Sequence, residues 1–217
     1  GLALAHHTGP AHPRRGLVTC GGGLVLPETA RHPGAIWERN GTLLGSMLRA
    51  LGQSVTQRRV VADQPDALRQ ALLDLAHDCD VVVSTGGVSA GDTDWIRPLV
   101  AELGAVDFWK LFLRPGRPFA FGSLGEGVPF FGLPGNPVAA AVTALQLLWP
   151  ALQVLEGQSE PELFPRVMVE LADPLSRRPG RPELARARLD TNAAGTLLAR
   201  GDGSQASSRI GSLQQAG

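Results

Sequence analysis

The run Asp80-Val81-Val82-Val83-Ser84, continued by Thr85-Gly86-Gly87-Val88-Ser89-Ala90-Gly91-Asp92-Thr93-Asp94, decides how this chain folds. Three consecutive valines without polar alternation read as a strand buried on both faces, as in a parallel sheet covered by helices on each side. The loop that follows carries Gly86, Gly87 and Gly91 together with the hydroxyls of Ser84, Thr85 and Ser89. In open α/β sheets ligands bind beyond the carboxyl ends of strands. Glycines let the backbone approach an anion closely, and successive N–H groups form a concave donor nest. Asp94 falls at the start of the next helix, where a carboxylate caps the helix or ligates a cation.

Working outward, Gly16–Cys20 reads as a short buried strand. Leu43, Leu44, Met47, Leu48 and Leu51 fall at helical spacing and predict a helix over Ile36–Leu51, ended by Gly52. Ser54–Val61 reads as a strand, and Pro65 opens a helix at its first turn. Trp95–Leu103 reads as a helix. Val106–Leu113, Pro118–Gly122 and Val128–Gly132 read as strands. The turn Leu133–Asn136 leads into a long helix, Pro137–Leu155, with Asn136 as its cap. This alternation predicts a three-layer α/β/α domain with a mostly parallel sheet over residues 16–157. Residues 1–15, with His6, His7 and His12, read as a connector or the end of an upstream domain. Beyond the linker Gln158–Pro165, Arg166–Leu171, Arg186–Asp190 and Thr196–Ala199 read as β-ribbon strands, and Ser207–Ala216 as a helix. A ribbon this small closes no sheet alone, so 163–217 is expected to be an incomplete small β domain.

Composition narrows the function. Acidic and basic residues number 20 each, for zero formal net charge, which excludes the broad basic surface that nucleic acid or a membrane would demand. No apolar run of about 20 residues stands out as a membrane helix, and no signal segment follows Gly1. Cys20 and Cys79 form no close pair, so neither a disulfide framework nor a structural zinc site is expected, and a reducing cytoplasm is the default. Lys110 is the only lysine, so arginine supplies nearly all positive charge.

Two further segments carry chemistry. Arg114 and Arg117 flank a Pro-Gly turn in Leu113-Arg114-Pro115-Gly116-Arg117-Pro118. Two guanidinium groups on one turn grip an oxyanion by paired hydrogen bonds; read alone, they are a solvated hairpin. Gly132-Leu133-Pro134-Gly135-Asn136-Pro137 joins a strand to a helix N-terminus, where backbone amides favour an anion; read alone, it is a turn and a cap. Together with Ser84–Asp94, these loops are expected to meet at one sheet edge around a shared anionic ligand.

The strings STGGVSAGDTDW (Ser84–Trp95), FWKLFLRPGRPFAFG (Phe108–Gly122) and FGLPGNPVAA (Phe131–Ala140), in this order and spacing, resemble signature segments of the molybdopterin molybdenumtransferase family, which includes the E domain of gephyrin. The resemblance is close over 16–157 and fainter over 163–217, where the family has a small β-barrel. It implies insertion of molybdate into the dithiolene of adenylylated molybdopterin with loss of AMP, assisted by Mg²⁺. It implies a homodimer; the charge balance, not the resemblance, is what speaks against nucleic acid and membrane as partners. It assigns the substrates to Ser84, Thr85, Gly86, Gly87, Ser89, Gly91, Arg114, Gly116, Arg117, Pro134, Gly135 and Asn136, and a catalytic, metal-ligating role to Asp94 and Asp63. For Asp63, capping of the following helix is the other role.

Two departures stand out. Relatives carry a Thr-Gly-Asp-Glu-Leu type string where this chain reads Thr19-Cys20-Gly21-Gly22-Gly23-Leu24, so Gly22 and Gly23 replace both acids. The family's Lys-Pro-Gly-Lys-Pro is here Arg114-Pro115-Gly116-Arg117-Pro118. The alternatives are therefore an adenylyltransferase acting one step earlier and a non-catalytic molybdopterin-binding homologue. Against the former, Val88-Ser89-Ala90-Gly91 stands where those relatives carry Thr-Gly after the glycine pair.

Overall fold

The computed structural model describes residues 13–22, 24–25, 36–87, 95–177 and 179–201. Residues 1–12, Gly23, Ser89, Gly91, Asp94 and the helix expected over 207–216 lie outside the described residues.

A six-stranded sheet organises the domain, in the order β4-β1-β5-β8-β7-β6. Its strands are β1 (Arg15–Cys20), β4 (Gln57–Val61), β5 (Val81–Thr85), β6 (Gly104–Trp109), β7 (Ala120–Leu124) and β8 (Val128–Leu133). β4, β1, β5 and β8 are parallel, and β7 runs antiparallel to both β8 and β6. Every residue of β1 and β5 is buried, as the unbroken valine run predicts for a central parallel strand. Side chains alternate across it. Val82 packs into a core beneath α2 (Pro65–Asp78) and α3 (Ile96–Leu103). Val81 and Val83 pack into a second core beneath α1 (Asn40–Ala50), α4 (Pro137–Thr143) and α5 (Trp149–Leu155). This is the expected three-layer α/β fold.

Local chemistry moved several boundaries. The first helix starts at Asn40, not Ile36, because the Glu38 carboxylate accepts the Gly41 N–H at 2.6 Å and fixes the first turn there. Ile36–Trp37 instead forms a short strand, β3, parallel to β2 (Leu24–Val25). Strand β6 ends at Trp109, short of Leu113, because Lys110 turns the chain with φ +81°. Pairing of β7 begins at Ala120 opposite Gly132; Pro118 has no N–H to donate. The long helix contains a π-helical turn, Ala144–Leu148, just before Pro150, where proline cannot donate to the preceding turn.

Contrary to the sequence reading, Pro137–Leu155 is long and apolar enough by length and composition to cross a membrane. It is 67% buried inside the protein, so its apolarity answers to the core it packs in.

The ribbon region forms a three-stranded sheet of β9 (Glu170–Leu171), β10 (Ala187–Thr191) and β11 (Leu197–Gly201), ordered β10-β11-β9. The predicted strand Arg166–Leu171 shrinks to its last two residues, which pair with Leu198 and Ala199. Asn192 builds the β10–β11 turn by accepting the N–H groups of Ala194 and Thr196.

Candidate functional site

Because β1, β4, β5 and β8 are parallel, their carboxyl ends share one edge. The antiparallel β7 starts at that edge, so the Arg114–Phe119 loop arrives there too. Topology thus gathers the three loops singled out in the sequence.

Two of them, the arginine turn and the Pro134–Asn136 loop, meet in a cavity of about 480 Å³. Arg114, Gly116 and Arg117 line it from one side and Pro134, Gly135 and Asn136 from another. Asn136 sits at the N-terminus of α4, followed by Pro137 at the first helical position, but its side chain makes no capping bond. Its Oδ1 is buried without a hydrogen-bond partner. Gly116 is held at φ +112°, and a Cβ there would stand 2.6 Å from Thr143 Cγ2. Glycine therefore lets the arginine turn press onto α4.

Sequence reasoning missed the third wall. Residues 181–186 cross the arginine turn as a strap: the Arg114 N–H donates to the Pro182 carbonyl at 3.0 Å, and the Leu184 N–H to the Arg114 carbonyl at 2.8 Å. Arg181, Glu183 and Arg186 thereby join the cavity. Arg186 is buried, and Glu183 lies 3.9 Å from Arg114 and 3.5 Å from Arg177. Four guanidinium groups against one carboxylate give this hollow a positive field within a neutral chain. Only the alternation of Arg186 and Arg188 hinted at this strap, and alternation does not say where a strand docks.

The Ser84–Gly87 segment supports the cavity from below. Ser84 and Thr85 are fully buried and line no described cavity; Ser84 Oγ makes no hydrogen bond. Thr85 Oγ1 donates to the Pro134 carbonyl at 3.0 Å and accepts from the Asn40 amide at 2.9 Å. The same amide donates to the Gly135 carbonyl at 2.8 Å. Gly135 packs on Gly86: a Cβ on Gly135 would lie 3.2 Å from the Gly86 Cα. Asn40 has a clear position at a helix start but no sequence signal for this reach.

A neighbouring cavity of about 290 Å³ shares Gly135 and is lined by Cys20, Gly22, Glu38 and Asn40 among others. Glu38 is buried and ion-paired with Arg58 at 2.9 Å. Asp63 lies beside Cys20, whose thiol donates to its Oδ1 at 3.5 Å. Burial first, then the Asp63 charge, pushes the Cys20 thiol up to about 12. Asp63 does not cap the next helix, whose cap position is Gln64. Among the described residues, no group of three His, Cys, Asp or Glu side chains could hold a metal.

A cationic hollow at a helix N-terminus, beyond the carboxyl ends of parallel strands, is a place where α/β folds favour anions. Residues 16–154 match the family described as "Probable molybdopterin binding domain", and the chain belongs to that family. It is 32% identical over 192 residues to the molybdopterin molybdenumtransferase of Haemophilus influenzae, covering 88% of this chain and 47% of that protein. It is also 32% identical over 203 residues to the molybdenum cofactor synthesis protein cinnamon of Drosophila melanogaster, covering 93% and 33%. The chain thus spans half or less of these relatives' length. In fold it resembles the molybdopterin biosynthesis MoeA protein from Pyrococcus horikoshii OT3, with a TM-score of 0.71 at 22% identity over 95% of this chain and 48% of that one.

Proposed function

We propose that this chain acts in molybdenum cofactor biosynthesis as the substrate-holding part of a molybdopterin molybdenumtransferase. The reaction inserts molybdate into the dithiolene of adenylylated molybdopterin and releases AMP. One observation carries the reading: Arg114, Arg117 and the Pro134–Asn136 loop line a single cationic cavity. Both the incoming metal oxide and the phosphates of the partner substrate are anions. Arg114 and Arg117 hold oxyanion oxygens in bidentate fashion, and the backbone N–H groups at the start of α4 add donors along the helix axis. An anion entering the hollow competes with Glu183 for Arg114, a contact loose enough at 3.9 Å to exchange. Thr85 acts by holding the Pro134 carbonyl, and Gly86 and Gly87 by admitting close backbone approach. Ser89 and Gly91 are proposed to extend that loop as a donor nest.

The described carboxylates do not by themselves form a Mg²⁺ cage, since Glu38 is committed to Arg58 and Asp63 faces the Cys20 thiol. Mg²⁺ binds through one or two carboxylates plus substrate phosphates, so Asp94, with Asp63, is proposed to hold it only once substrate is bound. A homodimer in the cytoplasm, and a domain boundary near Gly157 followed by part of a β-barrel, complete the proposal.

The test is AMP release from adenylylated molybdopterin on adding molybdate. Release that falls at least tenfold in Arg117→Ala supports the proposal. A second reading, a non-catalytic molybdopterin-binding homologue, is favoured by Gly22, which offers the second cavity no carboxylate. Substrate binding without AMP release would select it.

A further inference from the structure

Arg58 stands on β4, at the edge of the six-stranded sheet, and lines neither of the two cavities that share Gly135. Its side chain is 40% exposed, yet its guanidinium donates at 2.9 Å to the carboxylate of Glu38, whose side chain is 0% exposed. To get there it crosses the first turn of α1. A Cβ on Gly41 would stand 2.6 Å from Arg58 Nη2. Gly41 is an ordinary helical residue without positive φ, so it is the guanidinium that requires the missing side chain there. The other Glu38 oxygen accepts the Gly41 N–H at 2.6 Å. Residues 38 and 41 are thereby tied together around Asn40. The Asn40 amide donates to Thr85 Oγ1 and to the Gly135 carbonyl, and Thr85 Oγ1 donates to the Pro134 carbonyl. One run of contacts therefore leads from the edge of the sheet to the loop that lines the anion cavity.

We infer that Arg58 and Glu38 are positioning residues for the anion site, acting through Asn40 on the placement of the Pro134–Asn136 loop. This rests on the reading of that cavity as the place where substrate anions are held. A single amide group of Asn40 reaches acceptors 45 and 95 residues away. Hydrogen bonds weaken steeply with misalignment, so the backbone that carries Asn40 must be fixed. The cap position does not fix it, since Arg39 makes no side-chain cap bond. Glu38 does, and a buried carboxylate needs a counter-charge, which Arg58 brings from the neighbouring strand. A ligand-holding loop is only as well placed as the groups locked behind it. A merely structural ion pair would stabilise the fold and leave the anion affinity of the folded chain untouched, whereas a positioning pair sets that affinity.

The test is calorimetric titration of the intact chain with inorganic phosphate, well below each variant's thermal melt so that only folded protein is read. Gly41→Ala keeps both charges but pushes the guanidinium off Glu38. The double variant Glu38→Gln with Arg58→Met removes the pair without stranding a buried charge, which keeps it folded. Arg58→Lys keeps a positive charge opposite Glu38. Phosphate affinity is expected to fall about fivefold in Gly41→Ala and in the double variant, the worth of one hydrogen bond, and to be largely retained in Arg58→Lys. Unchanged affinity in either of the first two, whatever its melt, would overturn the inference. So would a loss in Arg58→Lys equal to theirs. Arg117→Ala is the reference. Wild-type phosphate binding that ignores Arg117 sinks the reading of the cavity and this inference with it. Binding that needs Arg117 but is indifferent to Gly41→Ala sinks the positioning role alone.

Discussion

The side-chain amide of Asn40 lies 2.8 Å from the carbonyl oxygen of Gly135 and donates to it. This one contact spans from the first helix to the loop at the start of the fourth. Its second N–H goes to Thr85 Oγ1, which in turn donates to the Pro134 carbonyl. Two consecutive carbonyls of the Pro134–Asn136 loop, those of Pro134 and Gly135, are thereby held from beneath.

Asn40→Ala is expected to destabilise the chain by about 1–3 kcal/mol, because it takes the amide donor away from the buried Thr85 Oγ1 and the part-buried Gly135 carbonyl. Asn40→Asp should be worse, since a carboxylate has no donor for either oxygen. Urea denaturation read by far-UV circular dichroism measures both. Loss below about 0.5 kcal/mol for Asn40→Ala would show that the loop holds itself.

Gly86 and Gly45 make a matched pair of glycine-to-alanine tests. At Gly86, φ is +89° and a Cβ would stand 2.1 Å from the Cys20 carbonyl oxygen. Gly86→Ala is expected to cost about 3 kcal/mol or more through strain and backbone displacement. At Gly45, inside α1, a Cβ meets nothing within 4 Å. Gly45→Ala should therefore stabilise by about 0.5–1 kcal/mol. Thermal melts of both variants settle the pair; similar shifts in one direction would contradict it.

The central strand was legible because Val81–Val83 can satisfy no surface strand, and its glycine loop because three glycines among small residues offer no side chain to a core. The arginine turn and the Pro134–Asn136 loop were legible as chemistry, but only topology could say that they face each other. The strap was not legible. Arg181, Glu183 and Arg186 sit in a stretch of exposed, weakly patterned sequence, and their place follows from two backbone hydrogen bonds to Arg114, a long-range pairing that no local period encodes. The helix start at Asn40 was misread because apolar spacing continued upstream through Ile36 and Trp37, while the decisive contact was a side chain, Glu38, folding back on the first turn. Asn40 itself escaped notice because its partners lie 45 and 95 residues away.

Arg15 and Glu156 form a buried ion pair that ties the start of β1 to the end of α5, with side chains 4% and 16% exposed. Gln53 donates to the other Glu156 oxygen at 2.8 Å, and Arg15 also donates to the Ser54 carbonyl. Glu156→Gln removes the charge and keeps the shape. It is expected to destabilise by about 3–5 kcal/mol, because the Arg15 charge stays buried and uncompensated. The double variant Arg15→Met with Glu156→Leu should recover most of that loss. Urea denaturation of the wild type, Glu156→Gln and the double variant reads it, and a double variant no better than the single would refute the electrostatic account.

Cys20 offers a test in pH. Its thiol is 5% exposed and is pushed from 9.0 up to about 12, chiefly by burial and then by the Asp63 carboxylate. The folded state therefore holds the thiol proton more tightly than the unfolded chain does. The linked stability is fully present below about pH 9 and is lost as pH rises from 9 toward 12, because the unfolded thiol ionises first. Since the thiolate is the nucleophile, iodoacetamide at pH 8 should leave Cys20 unmodified in the native chain and alkylate it in urea. Cys79, also raised by burial, should behave alike. In Cys20→Ala the fall in stability across that window should flatten relative to wild type, while a reference variant at Cys79 isolates the second thiol. Rapid native alkylation of Cys20 at pH 8, traced by peptide mass, would mean that the thiol opens to solvent beside Asp63 and that burial does not control it.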